Sequence, residues 1–311
     1  MKITIDTTKI SPEIRKQIAA TVDDVEILCV LAEDEEEDVQ IAVAANPNTS
    51  VKNLSKLSKD SNWRVRKAVA GNTSTPAKIL SKLGKDTDND VRETVASNPN
   101  TSVDTLSKLS KAVKGDVREA VAKNPNTPAE VLSELAKDTC WYVRATAAAN
   151  PNTLTEDLSN LAEDVDDDVR EEVAANPSTV SETLAKLAKS KECHVRCKVA
   201  ANPNTSVEVL SELAKDEDEG VRYEVAGNPN TPVETLSELA KDTDADVKEA
   251  VADNSNTPEA SLKKLAKDKD WSVREAVAKN PNTSSDTLAK LSKDNDCDVR
   301  TAAIQNPNFK E

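Results

Sequence analysis

Aromatic residues make up only 2% of this 311-residue chain: three Trp, two Tyr and one Phe. Any core it forms has to be aliphatic and thin. Glycine is equally scarce, at five residues, which leaves no glycine-rich phosphate loop. There is one histidine, His194. No nucleophile–base pair stands at a recognisable spacing, so the chain reads as a non-enzyme. No apolar run approaches the length of a membrane span. The opening MKITIDTTKI lacks the apolar segment of a secretory signal. Cysteine is sparse, scattered and odd in number, at five. That fits a reducing compartment better than a disulfide framework, so a cytoplasmic setting is expected. Basic residues are outnumbered 41 to 56, for a net charge of −15. Such a balance favours solubility and opposes nucleic acid and anionic membrane as partners. No cofactor and no metal are implied.

What the chain has instead is repetition. The stretch Val117 to Asp138 reads VREAVAKNPNTPAEVLSELAKD, and close copies recur along almost the whole length. Its Asn124 has counterparts at Asn46, Asn72, Asn98, Asn150, Asn176, Asn202, Asn228, Asn254, Asn280 and Asn306, and every step is 26 residues. A register without insertion or deletion points to recent duplication or deliberate construction.

Each copy predicts two short helices. Val117, Val121 and Ala122 fall at i, i+4 and i+5, one narrow apolar face. Asn124 reads as the terminator of this first helix, because asparagine tolerates the left-handed conformation that often ends helices and Pro125 cannot continue one. Thr127-Pro128-Ala129-Glu130 reads as a capping box for the second helix, with proline at its first position. The threonine recurs in ten copies, Thr49 to Thr283. Leu132, Leu135 and Ala136 supply the second stripe. One unit cannot fold alone: a few aliphatic side chains, at about 1.5–3 kcal/mol for each large one fully buried, do not offset the entropy of some twenty ordered residues. Stacked copies can, since each covers the next.

The expected organisation is an N-terminal helical cap over residues 1–24, with Ile10, Ile14 and Ile18 on one face. A single elongated array of about eleven repeats follows over 25–311. The chain stops soon after the last Asn-Pro without a closing leucine helix, so its C-terminal face is expected to be under-capped.

The Val-Arg, Val-Ala-x-Asn-Pro-x-Thr-Pro and Leu-x-x-Leu-Ala elements, repeated over about residues 25–308, resemble the leucine-rich repeat variant family. The resemblance implies an all-α, right-handed solenoid in which α-helices alternate with 3₁₀-helices, without β-sheet, near the HEAT and armadillo superfamily. Family repeats are often about two residues shorter. Some members carry an N-terminal cysteine cluster for an iron–sulfur centre; only Cys29 lies near that end here, and the cluster is not carried over.

Variation is confined. Counting from the first-helix valine (Val39, Val65, and so on to Val299), positions −3, −2, −1 and +2 differ widely between copies. Ten of the chain's twelve Trp, Tyr, Phe, His and Cys residues fall there. Positions −2 and +2 are i and i+4, hence one helical face, directed away from the valine stripe. A constant frame with a variable ridge is how repeat proteins read partners, and Trp and Tyr are enriched at interface hot spots. The expected function is a repeat scaffold that binds a protein or peptide through Trp63, Trp141, Tyr142, His194, Tyr223 and Trp271. Trp63 and Trp141 lie three repeats apart, and Trp141 and Trp271 five. They would be isolated anchors roughly 30 and 50 Å apart at ordinary helix spacing. The alternative is a structural module that self-associates end to end through the under-capped C-terminal repeat, or a designed or recently duplicated repeat protein without a defined ligand; a monomer or weak end-to-end oligomer is expected.

Three weaker patterns read as structural. Aspartate runs such as Asp86/Asp88/Asp90 and Asp242/Asp244/Asp246 lack the glycine and glutamate of a calcium loop and are expected to cap first helices. The arginine column (Arg66, Arg92, Arg118 and their counterparts) is expected to pair with aspartates. Cys193 and Cys197 flank the one histidine but lack a second Cys/His pair for zinc.

Overall fold

The computed structural model describes residues 10–310, so part of the expected cap, residues 1–9, lies outside the described residues. Among the described residues there are 23 α-helices and no strand. They fall into two compact units, one ending at Leu154 and the other beginning at Thr155.

In both units a nine-residue first helix alternates with a seven-residue second helix. In the repeat around Asn124 these are Gly115–Lys123 and Ala129–Leu135. The expected stripes form the core: Val117, Val121, Ala122 and Leu132 are fully buried, and Leu135 nearly so. Within the first unit the first helices pack side by side from Glu37–Ala45 through Trp141–Ala149. Within the second they do so from Asp167–Ala175 through Cys297–Gln305. Within each unit, the second helices pack on the first helices that flank them in sequence.

The second helices are α-helical, not 3₁₀ as the resemblance implied. The tighter geometry is found at the ends: at the entry Val131 N–H donates to Pro128 O, and at the exit Lys137 and Asp138 donate to Glu134 and Leu135, each three residues back. Seven residues suffice for an α-turn because Leu132 and Leu135 anchor it to the core.

Two local readings are corrected. Asn124 does stop the first helix, but at φ −69° and ψ 127°, which is extended backbone; no described non-glycine residue has positive φ. Its side chain explains the recurrence. Nδ2 donates to Ala96 O at 2.6 Å and Asn98 O at 3.1 Å in the preceding repeat, while Oδ1 accepts from Asn126 N–H. The same cross-repeat pair recurs at Asn72, Asn98, Asn150, Asn202, Asn228, Asn254, Asn280 and Asn306. Thr127 does not cap the second helix either; Pro128 holds that position. Thr127 Oγ1 donates backward to Val121 O at 2.6 Å, and all ten threonines repeat the contact. Both side chains therefore serve the carbonyls left over at the first helix's C-terminus. The motif closes one helix and joins it to the next repeat; it does not open the second.

The N-terminal helix Pro12–Thr21 is less foreign than its sequence suggests. Arg15 grips Asp34 through Nε and Nη2 at 2.7 and 2.9 Å, as Arg66 grips Asp86 at 2.6 and 2.8 Å. Ala19 O accepts from Asn46 Nδ2, as Ala44 O does from Asn72. The helix stands where a first helix would, one residue out of register. Its buried contact is Ala19; Ile14 is 51% exposed, contrary to the isoleucine stripe expected there.

Candidate functional site

The variable positions begin each first helix. Position −3 is the N-cap and −2 the first helical residue, since the helices start two residues earlier than the Val-Arg pair. The frame around them is closed by charge. Arg66, Arg118, Arg196, Arg222 and Arg274 each reach forward 20 residues to an aspartate with both Nε and Nη2, and Lys248 does so through Nζ. Those guanidinium groups are thus committed to structure. The Arg274 hydrogen bonds hold the Asp294 carboxyl below its usual range against the opposing effect of burial. The aspartate runs act as caps: Asp88 accepts from the Asp90 and Val91 N–H groups, and Asp244 and Asp296 do the same.

The six sequence-predicted residues occupy different settings. In the first unit, Trp63 is 36% exposed and carries its own cations, Arg64 and Lys67, each 5.7 Å from the ring centre. Trp141 is 46% exposed and meets Tyr142 edge-on, at 5.9 Å between ring centres. Tyr142 is half-buried, and its hydroxyl occupies the space where a Cβ on Gly115 would stand. It thus fills a socket in the neighbouring repeat, and only Trp141 of this pair stands well out.

In the second unit, Trp271 is 48% exposed and Tyr223 45%. Tyr223 borders a cleft of about 340 Å³ lined by Glu219, Asp244, Asp246, Glu249 and Asp253, with no lysine or arginine in its wall. Burial, then the neighbouring Glu249, pushes the Asp253 carboxyl above its ordinary value. His194 points at the preceding repeat, with Nε2 3.5 Å from Asp167 Oδ2 and 3.9 Å from Glu171 Oε2. Cys193 is exposed and Cys197 half-buried, both as free thiols; burial, then Asp218, pushes Cys197 up to about 11. Most of the carboxylates around Tyr223 and His194 were missed in the sequence because they sit one repeat away from the aromatic or imidazole they face. Pairing position −1 or +2 of one copy with the acids of its neighbour would have found them.

This is the architecture of a helical-repeat scaffold. Its repeats resemble those of the leucine-rich repeat variant family: the model of the family described as "Leucine rich repeat variant" matches residues 115–138 and 194–218. A solved structure described as a leucine-rich repeat variant with a novel repetitive structural motif is 26% identical, with a TM-score of 0.53 over 71% of this chain and 87% of that one. A chain from a structure of Kap95p and RanGDP overlaps at a TM-score of 0.44, with 12% identity over 96% of this chain and 54% of that one. An engineered protein overlaps at 0.37, with 20% identity over 96% and 95%. These last two overlaps carry no argument for function. No curated protein sequence matches the chain. No helix among the described residues is long and apolar enough to cross a membrane.

Proposed function

We propose that the chain is a non-enzymatic scaffold that binds a protein or peptide through side chains at the start of its first helices. The observation that carries this reading is the exposure of Trp141 and Trp271, at 46% and 48%, in a chain whose core is complete without them. Holding a large indole half in water is unfavourable, and a contact that buries it recovers that cost. Trp141 is the principal anchor in the first unit; Tyr223 and Trp271 serve the second. The cleft beside Tyr223 favours a partner with basic side chains, because its wall offers five carboxylates and no cation. The net charge of −15 disfavours nucleic acid, and the five free cysteines suit a cytoplasmic setting.

Affinity capture from lysate, with the wild type run beside Trp141→Ala and Trp271→Ala, tests the proposal. Specific partners should be lost from one or both variants while their thermal stability stays close to wild type. Identical captured sets would refute it. End-to-end association is the second reading, favoured by Ile304 at 56% exposure on the helix Cys297–Gln305. Light scattering over a concentration series decides it: a monomer at high concentration removes that reading.

A further inference from the structure

The one histidine of the chain sits opposite an unusual set of acids. Asp167, Asp168 and Glu171 occupy positions −2, −1 and +2 of one repeat, and no other repeat places carboxylates at all three. The next repeat is the one that carries His194. The two first helices involved, Asp167–Ala175 and Cys193–Ala201, pack side by side. Ligand atoms of His194, Asp167 and Glu192 lie within 4.8 Å of one another, as do those of His194, Asp168 and Glu171. His194 Nε2 is closed off from solvent yet makes no hydrogen bond among the described residues. Two carboxylate oxygens approach it, at 3.5 and 3.9 Å.

A ring nitrogen facing carboxylates across that gap has the geometry to share a cation with them. Metal–ligand arms of about 2.0–2.2 Å set ligand atoms roughly 3.3–3.6 Å apart around a tetrahedral centre. The two separations from Nε2 come within a few tenths of an ångström of this. We infer that His194, Asp168 and Glu171, with Asp167 approaching the same ring nitrogen as a fourth ligand, form a binding site for a divalent transition-metal ion. One imidazole and carboxylate oxygens suit zinc, manganese or cobalt better than calcium or magnesium, which take oxygen ligands. Glu171 also meets Lys198, through its other oxygen, at 3.5 Å, so one oxygen remains for the metal. The site links two consecutive repeats of the second unit and is independent of the recognition reading above.

Titration of the full chain with Zn²⁺ and Co²⁺, in excess Mg²⁺ to occupy loose carboxylate sites, is the test. One equivalent should bind the wild type saturably. His194→Gln and Glu171→Gln should each weaken it at least tenfold, with far-ultraviolet circular dichroism unchanged. Cys193→Ser should leave it intact, and the single histidine ring resonance should shift on Co²⁺ binding. Equal affinity in the wild type and His194→Gln, loss on Cys193→Ser, or no saturable site would overturn the assignment. In the last case His194 is only an ion-pair partner of Asp167 and Glu171.

Discussion

Replacing Asn124 tests whether the joint between repeats rests on one side chain. The residue is 2% exposed. Its amide makes three hydrogen bonds, two to carbonyls of the preceding repeat and one from its own turn. Ala96 O depends on it. That carbonyl lies at the end of the helix Asn89–Ser97; Pro99 has no N–H to offer, and the Asn100 N–H is taken by Asn98 Oδ1. Asn98 O is better served, since Thr101 N–H reaches it as well. Asn124→Ala therefore removes bonds worth about 0.5–1.5 kcal/mol each and strands at least one buried carbonyl. The expected loss is about 2–4 kcal/mol. Asn124→Asp keeps the shape but turns an acceptor or a buried charge toward two carbonyl oxygens, so it should cost more than alanine. Urea unfolding followed by circular dichroism reads both variants, and a lowered slope would show the stack opening in parts. A loss below about 1 kcal/mol for alanine, or an aspartate variant no worse than alanine, would refute the reasoning.

Other expectations follow from the same frame. Ala112 stands where other repeats place the aspartate that grips their arginine, and Arg92 meets no carboxylate among the described residues; Ala112→Asp should raise stability by roughly 0.5–1 kcal/mol, read from the urea midpoint. Gly115→Ala should stabilise by about 0.5–1 kcal/mol in a Tyr142→Ala background, through helix propensity. It should help less, or harm, in the wild type, where the new methyl meets the Tyr142 hydroxyl; a double-mutant cycle without coupling would contradict the socket. Stability should also follow pH in two phases. Burial, then Glu171 for Glu172 and Glu249 for Asp253, holds these carboxyls above their ordinary values, so their cost when charged is relieved as pH falls through the raised values. Asp34 and Asp294, held low by Arg15 and Arg274, contribute stability above the ordinary 3.8, and it is lost as pH falls through their depressed values. The urea midpoint should rise slightly below neutrality and then drop steeply below about pH 4; a monotonic fall from pH 7 would contradict this.

Most of what spacing sets within one repeat was legible in the sequence. The valine and leucine stripes, the aspartate caps and the arginine–aspartate pairing all follow from short-range periodicity and opposite charge. What spacing could not show is where a side chain goes when its partner lies a full repeat away. Asn124 looks the same whether it ends its own helix or holds the one before, because both roles place it before a proline. Thr127 misleads within its own repeat: it satisfies a capping-box pattern, while its hydroxyl turns back to Val121 O. The N-terminal helix escaped a scan at fixed period because one residue is missing between Arg15 and Asp34. Of the proposed site, the exposure of Trp141 and Trp271 was foreseen on positional grounds. The Gly115 socket under Tyr142 and the acids facing His194 belong to neighbouring copies and emerge only when copies are laid side by side.

The cross-repeat amide contacts all run in one direction, from a later copy to an earlier one. Each copy therefore leaves a carbonyl at the end of its first helix that only its successor can satisfy. As the polypeptide emerges from a ribosome, the newest helix end waits for about one further period of synthesis before it is finished. Assembly of this kind has a polarity, and removing copies from the C-terminal side always uncovers the same kind of vacancy, whichever copy is last.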